Sequence, residues 1–124
     1  MEAVILDTNI LIEILKGETK TIRAVEALSE ELYVSSISAM ELYYGALDKA
    51  ETAKIEKFLH HFTILYPDAT ISRRAMELVR HYAKSHTLNI PDSIIAATAL
   101  VSGYPLMTYN RKDFRFIDGI RLMD

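Results

Sequence analysis

Four acidic residues stand at points where one predicted element of the chain gives way to the next: Asp7, Glu41, Asp92 and Asp113. Carboxylates that lie close together repel one another unless a cation neutralises them. An all-oxygen group of this kind suits Mg²⁺ or Mn²⁺, which are hard ions that keep several of their waters. Such an ion lowers the pKa of a bound water and stabilises charge on a phosphoryl oxygen. If the fold brings the four acids together, they predict metal-assisted hydrolysis of a phosphodiester.

The first acid follows a stretch that is typical of a buried strand. Residues 3–6 are apolar without alternation, which indicates a strand covered on both faces, as in a parallel sheet between helices. Asp7 would then lie at the carboxyl end of a central strand, where open α/β sheets bind their ligands. We expect Thr8 or Asn9 to cap the helix that follows. A simpler interpretation of Asp7 is an aspartate that only helps to cap this helix.

The other three acids also have structural explanations. Glu41 completes Ser38-Ala39-Met40-Glu41, which matches the capping box S-x-x-E and predicts a helix that begins at Ser38. Asp92 would begin an almost wholly apolar helix, and Asp113 would lie in a turn after the fourth strand. The carboxyl ends of parallel strands nevertheless point to one edge of a sheet, and all four acids fall where that edge should be.

The elements that would position these acids alternate between helix and strand along the whole chain. After the first strand we expect strands at 31–35, 63–66, 105–108 and 120–122, with helices between them. This alternation predicts an α/β fold with a parallel sheet. No linker or repeat interrupts the 124 residues, so we expect one domain over residues 1–124.

Composition excludes several classes of protein. The net charge of −3 is not that of a protein that coats nucleic acid, although basic residues gather at 73–84 and 111–121, either to hold an RNA backbone or to face solvent. The absence of cysteine excludes disulfides and thiolate metal sites. No segment reaches the ~20 apolar residues of a membrane span. With no signal peptide at the start, we expect a cytoplasmic protein without a membrane partner.

In this order and spacing, the motifs resemble those of the PIN-domain nucleases and, among them, the VapC-type toxins of toxin–antitoxin pairs. The resemblance covers essentially the whole chain. Its marks are Leu6-Asp7-Thr8-Asn9, Ser38-Ala39-Met40-Glu41-Leu42 with Gly45, Pro91-Asp92-Ser93-Ile94-Ile95-Ala96-Ala97, and Thr108 through Phe114 with Ile117, Gly119 and Leu122. It implies a three-layer α/β/α sandwich around a five-stranded parallel sheet, and an endoribonuclease that depends on Mg²⁺ or Mn²⁺.

The resemblance also implies roles for individual residues. Asp7 and Asp92 would be the main metal ligands, and Glu41 would complete the acidic site. The fourth position stays open between Asn110 and Asp113, because many members of the family have an acid where this chain has Asn110. The family's polar positions that order such ligands are matched by Thr8, Asn9 and Thr108. We expect metal-activated water to attack an RNA phosphodiester in line while one carboxylate accepts the proton, leaving 5′-phosphate and 3′-hydroxyl ends.

The partners implied by the resemblance are an RNA substrate, a VapB-type antitoxin and a second copy of the chain in a homodimer. Operator DNA would be reached only through the antitoxin, because this chain has no DNA-binding motif of its own. Met40, Tyr43 and Tyr44 lie on one predicted helix. They would either pack into the core, which is the simpler interpretation, or form a face for the dimer or the antitoxin.

Three alternatives differ from this interpretation. A response-regulator receiver domain has a similar length and also gathers acids at one sheet edge, but it needs paired acids after the first strand and a lysine after the fifth. This chain has one acid in the first place and lacks that lysine. A PIN nuclease of RNA processing or repair would carry the same catalytic residues. A PIN fold that only binds RNA would not require the intact acids.

Overall fold

Four parallel strands form the centre of the computed structural model, which describes residues 2–124. The strands are β1 (Ala3–Leu6), β2 (Glu31–Ser35), β3 (Thr63–Leu65) and β4 (Leu106–Met107), arranged in the order β3-β2-β1-β4. Every residue of β1 is buried, as its apolar run predicted. Side chains alternate between the two faces of a strand, so Val4 and Leu6 enter one hydrophobic core and Ile5 enters the other.

Helices cover both faces of this sheet. They are α1 (Thr8–Leu15), α2 (Thr19–Glu26), α3 (Ser36–Tyr44), α4 (Lys49–Leu59), α5 (Ala69–His86) and α6 (Ile90–Ser102). Buried side chains of α1 to α4 pack in the core that contains Val4, and those of α5 and α6 pack in the core that contains Ile5. The predicted three-layer α/β/α fold is therefore confirmed. No helix within residues 2–124 combines the length and the apolar character that crossing a membrane requires.

The sheet has one strand fewer than the family resemblance implied. The segment predicted as a final strand at 120–122 contributes a single parallel bridge, from Leu122 to Leu106. The Leu106 amide donates to the Arg121 carbonyl at 2.9 Å, and the Met123 amide donates to the Leu106 carbonyl at 2.8 Å. Because β4 itself is only two residues long, this pairing has no room to extend into a ladder.

Strand order reverses between β1 and β4. The chain runs outwards from β1 through β2 to β3 on one side, and then returns to place β4 on the other side of β1. The Asp7 amide donates to the Met107 carbonyl at 2.9 Å, which continues the pairing of β1 with β4 one residue past the end of β1. Open α/β sheets bind ligands at such a reversal, outside the carboxyl ends of the strands. Asp7 therefore lies at the position where this topology favours a binding site.

Candidate active site

Asp7 is buried at the carboxyl end of β1, with 4% of its surface exposed. Its backbone is extended, and its Oδ1 accepts a hydrogen bond from the Thr8 amide at 2.8 Å. Asp7 is thus itself the N-cap of α1, and the prediction that Thr8 or Asn9 would cap this helix is wrong. The cap lies one residue earlier because β1 passes directly into α1, so that the first free helical amide is next to the Asp7 carboxylate.

The second carboxylate oxygen of Asp7 is held from two sides. The Thr108 hydroxyl donates to Oδ2 at 2.8 Å, and the Asn9 side-chain amide donates to the same oxygen at 3.2 Å. Burial nonetheless raises the pKa of Asp7, against the lowering effect of the Thr108 and Thr8 hydrogen bonds, and the charges of Glu41 and Asp113 raise it further. The carboxylate is therefore positioned by fixed donors but lacks a compensating positive charge.

Glu41 reaches the same edge from the middle of α3. This helix begins at Ser36, and the Ser35 hydroxyl caps it by accepting from the Ile37 amide at 3.1 Å, so the predicted capping box of Ser38 and Glu41 is wrong. The helix starts earlier because β2 leads into it without a loop. Glu41 instead accepts a hydrogen bond from the Thr8 hydroxyl at 2.7 Å.

Ser38 has a different role from the predicted cap. Its side chain is fully buried, and its hydroxyl lies 2.8 Å from that of Thr8. The Thr8 hydroxyl donates both to the Ser38 hydroxyl and to the Glu41 carboxylate, so its single proton is shared between these two acceptors. Ser38 therefore orients the side chain that holds Glu41.

Asp92 lies in the first turn of α6. Asn89 caps this helix by accepting from the Asp92 amide at 2.8 Å, so capping by Asp92 does not occur. Burial is the main cause that raises the pKa of Asp92 to about 6, followed by the charges of Asp7, Asp113 and Glu41. A hydrogen bond with the Asn89 side chain lowers the pKa of the Asp92 carboxyl, but the other causes outweigh it. The structure thus places Asp92 close enough to the other three acids for their charges to raise its pKa.

Asp113 and Asn110 occupy the segment after β4. Asp113 ends a 3₁₀ turn at Arg111–Asp113 and is half-buried, and its charge raises the pKa of both Asp7 and Asp92. Asn110 is exposed, and its backbone amide donates to the Thr108 hydroxyl at 3.0 Å. Its side chain forms no hydrogen bond with any part of residues 2–124. Both residues are at the acidic edge, and the choice between them as fourth ligand stays a prediction.

The four carboxylates share one edge without a basic partner. Across residues 2–124 the one ion pair joins Lys16 to Glu13, at 3.8 Å, and it does not involve any of the four. Within the same residues, no three acidic or histidine side chains are arranged so that they could hold one metal ion by themselves. A hard divalent cation that keeps several waters needs only one or two direct carboxylates. The donor set therefore fits such an ion, held partly through water.

Two arginines of each group of basic residues have positions that separate them from the acids or engage them elsewhere. Arg111 donates to the Met123 carbonyl at 2.8 Å, and Arg121 donates to the Gly103 carbonyl, so both tie the C-terminal segment to the body of the protein. Arg73 and Arg74 line a cavity of about 640 Å³ with Leu100, near the end of α6 that is remote from Asp92. Lys112 of the second group is exposed and forms no ion pair within residues 2–124, so its ammonium group is available to a substrate.

Sequence reasoning missed one residue of this edge, Tyr109. Its amide donates to the Asn9 side-chain oxygen at 3.2 Å, and its hydroxyl shares a hydrogen bond with Thr21 of α2. Its position directly after Thr108 was a signal that it lies near the acids. The pairing with Thr21, which lies 88 residues earlier in the chain, had no signal in the sequence.

The chain is similar over most of its length to proteins of one family. The family model described as the PIN domain matches residues 4–120. A relative from Shigella flexneri named tRNA(fMet)-specific endonuclease VapC is 30% identical, over 96% of this chain and 95% of its own. A solved toxin–antitoxin complex from Klebsiella pneumoniae contains a chain that is 32% identical, with a TM-score of 0.81 and 95% of each chain covered.

A solved DNA-bound VapBC from Salmonella typhimurium is similar in the same way. Its matching chain is 29% identical, with a TM-score of 0.83, over 100% of this chain and 98% of that chain. Sequence and fold therefore agree over almost the whole length, which excludes the receiver-domain alternative. The chain belongs to the PIN-domain family, in the group of VapC ribonucleases.

Proposed function

We propose that the chain is an endoribonuclease that depends on Mg²⁺ or Mn²⁺ and acts in the cytoplasm as the toxin of a toxin–antitoxin pair. The observation that carries this proposal is the uncompensated acidic edge at the reversal between β1 and β4. The charges of Glu41 and Asp113 raise the pKa of both Asp7 and Asp92 there, and none of the four acids forms an ion pair inside residues 2–124. A cation is the partner that such a group of acids lacks.

Asp7 and Asp92 would hold the ion, with Glu41 and either Asp113 or Asn110 completing the site. When bound, the ion supplies a lowered pKa for a water molecule and stabilises charge on a phosphoryl oxygen. The chain's own residues fix the donor oxygens. Thr108 and Asn9 hold Asp7 at 2.8 and 3.2 Å, and Thr8 holds Glu41 at 2.7 Å.

The protein must also accept a proton from the attacking water and bind the RNA in the correct position. As water attacks the phosphodiester in line with the leaving oxygen, one of the carboxylates accepts its proton. The products would carry 5′-phosphate and 3′-hydroxyl ends. The name of the relative from Shigella flexneri specifies tRNA(fMet), so initiator tRNA is the first substrate to offer this chain.

Cleavage assays test the proposal directly. Purified protein is incubated with initiator tRNA and with total cellular RNA, in Mg²⁺, Mn²⁺ or EDTA. We expect metal-dependent cutting that is lost in Asp7→Asn and Asp92→Asn. Asp118→Asn is the matched control, because Asp118 is an exposed acid that lies beside Arg73 and Arg74 rather than at the acidic edge. Full activity of Asp7→Asn at matched folding would contradict the proposal.

The antitoxin would bind beside the acidic edge. A cavity of about 650 Å³ between α1, α3 and α4 is lined by Ile12, Leu15, Leu42 and Ile55, and Glu41 lies at its rim. On the same helix α3, Met40, Tyr43 and Tyr44 are 56%, 36% and 94% exposed, so the interpretation of these three as core residues is wrong. An apolar surface beside unpaired carboxylates fits a partner segment that is apolar and carries a basic side chain.

Co-expression with the neighbouring antitoxin gene tests this surface. The double variant Met40→Asp/Tyr44→Asp should lose antitoxin or a second copy of the chain while it keeps its melting temperature, because both side chains are exposed. The readout is the mass of the complex in multi-angle light scattering. Growth arrest that is relieved by the antitoxin would separate a toxin from a PIN nuclease of RNA processing. Unchanged complex mass in the double variant would rule out this face.

A further inference from the structure

We propose that the ring of Tyr109 is the surface on which one base of the RNA substrate stacks next to the cleaved phosphodiester. The inference rests on the proposed nuclease function and assigns a residue that binds substrate at the same site. Tyr109 lies between Thr108, which holds Asp7, and Asn110, one of the two candidates for the fourth site position. The geometry of its two hydrogen bonds carries the proposal.

Tyr109 is fixed at both ends. Its backbone amide donates to the Asn9 side-chain oxygen at 3.2 Å, and the Asn9 amide nitrogen donates to Asp7 at 3.2 Å. Its hydroxyl shares a hydrogen bond with Thr21, whose side chain is 2% exposed. The ring therefore extends from the acidic edge to α2, and one side chain, that of Asn9, separates its backbone from the Asp7 carboxylate.

The ring itself remains open to solvent. Tyr109 is 52% exposed although its amide and its hydroxyl are both engaged, so the exposed area belongs largely to the ring. Three other tyrosines pack against aromatic neighbours: Tyr33 against Tyr104, at 5.3 Å between ring centroids, and Tyr82 against Phe116, at 5.1 Å. No aromatic ring of residues 2–124 packs in this way on Tyr109. A half-exposed ring held still at both ends is preorganised to bind something flat.

A nucleic acid base is the flat group that this neighbourhood favours. Single-stranded nucleic acid is commonly held by aromatic rings on which bases stack, beside cations that contact the backbone. Lys20, adjacent to Thr21, and Lys112, in the turn after Asn110, are both exposed. Neither forms an ion pair within residues 2–124. The ring and the two lysines are thus the elements of a subsite for single-stranded RNA.

Ring substitutions separate stacking from the hydroxyl bond. Stacking of one base contributes an amount that corresponds to roughly 5- to 150-fold in affinity. Tyr109→Leu keeps an apolar side chain but removes the ring, and we expect it to weaken RNA binding by about this factor. Tyr109→Phe keeps the ring and loses only the bond to Thr21, so we expect a much smaller change. Thr21→Val removes the same bond from the other side and should match Tyr109→Phe.

Two measurements test the proposal on the complete chain. Fluorescence anisotropy of a short labelled single-stranded RNA in Ca²⁺ gives the affinity of the wild type and of each variant. Ultraviolet crosslinking of the same RNA containing 4-thiouridine, mapped by mass spectrometry, identifies the residue next to the base. We expect the crosslink on Tyr109, and the loss of affinity in Tyr109→Leu alone, at an unchanged melting temperature.

The outcomes distinguish this inference from the proposed function. Wild-type protein that binds and cleaves RNA while Tyr109→Leu binds equally well, with the crosslink elsewhere, would overturn the stacking role and leave the nuclease intact. Wild-type protein that neither binds nor cleaves RNA would overturn both. A variant that keeps RNA affinity but no longer captures the antitoxin would assign the ring to a protein partner, and would reject the base.

Discussion

The Thr108 hydroxyl donates a hydrogen bond of 2.8 Å to the Asp7 carboxylate across 101 residues of sequence. It joins the ends of β1 and β4, the two strands between which the order of the sheet reverses. The bond is buried, and it continues the backbone contact from the Asp7 amide to the Met107 carbonyl. The Thr108 hydroxyl thus links the pairing of β1 with β4 to the orientation of the Asp7 carboxylate.

Thr108→Val should weaken both the fold and the activity. Valine keeps the shape but removes the donor, and a hydrogen bond to a charged group contributes about 2 kcal/mol. Losing a residue that orients a metal ligand reduces metal affinity or activity by roughly 10- to 100-fold. Urea unfolding and RNA cleavage measure the two effects. Thr98→Val is the matched control, because Thr98 is equally buried and its hydroxyl donates only to the Ile94 carbonyl of its own helix.

Asp92→Asn should stabilise the metal-free protein at neutral pH. The pKa of Asp92 is raised from 3.8 to about 6 in the fold, so the folded state binds more protons than the unfolded chain between these values. Stability contributed by this group therefore falls as the pH rises through this window, and it stays low above it. Because the side chain is only partly buried, we expect a gain on the order of 1 kcal/mol at neutral pH.

Melting temperatures in EDTA, measured from acidic to neutral pH, test whether Asp92→Asn is more stable than wild type at neutral pH. The difference between Asp92→Asn and wild type isolates the group from the other acids. It should grow as the pH rises towards neutrality and be smallest in acid. A variant that is less stable than wild type at neutral pH would show that the carboxylate has a favourable partner in the folded protein.

A divalent ion should reverse this order of stability. Binding to the folded state alone stabilises it by about 2.7 kcal/mol at 100 times the dissociation constant. We therefore expect Mn²⁺ or Mg²⁺ to raise the melting temperature of wild type and of Asp118→Asn, and to have little effect on Asp92→Asn. Differential scanning fluorimetry with increasing metal gives the shift for each protein. Equal shifts in all three would remove Asp92 from the metal site.

The ends of the strands were predictable because a strand that is buried on both faces is apolar at every position, and this pattern is visible in the sequence. The unbroken apolar run of β1 predicts a strand covered on both faces, and this prediction alone places Asp7 at the edge of the sheet. Helix starts were less predictable, since each cap depends on the residue at which the backbone becomes helical. Ser35 and Asn89 cap their helices, and Glu41 and Asp92 thereby become available for the acidic edge.

Contacts between distant segments could not be predicted from the sequence alone. The family resemblance implied that Thr8 orders the site, but it did not show that Ser38 reaches Thr8 across 30 residues. Tyr109 and Thr21 are each unremarkable in the sequence, and only the packing of α2 beside the end of β4 pairs them. Such pairs depend on how whole helices and strands pack against one another, and a local sequence pattern does not predict this packing.

Asn9→Asp tests whether the hydrogen bond donated by Asn9 positions the Asp7 carboxylate. The Asn9 amide nitrogen donates to Asp7 at 3.2 Å and lies 3.3 Å from the Thr108 hydroxyl. An isosteric carboxylate would replace this donor by an acceptor and add a charge beside Asp7. We expect a loss on the order of 2 kcal/mol at neutral pH, because a donated bond becomes a repulsion. The loss should shrink in acid, where the new carboxylate is protonated, and also when Mn²⁺ is added.

Asn110→Asp makes the same chemical change two residues beyond Thr108 and serves as its control. The Asn110 side chain is exposed and forms no hydrogen bond within residues 2–124, so stability without metal should change by less than about 0.5 kcal/mol. If Asn110 is the fourth site position, its carboxylate variant should bind Mn²⁺ more tightly than wild type. If Asp113 fills that position, the affinity should stay the same. Equal destabilisation by Asn9→Asp and Asn110→Asp would contradict the role of Asn9 as the donor that positions Asp7.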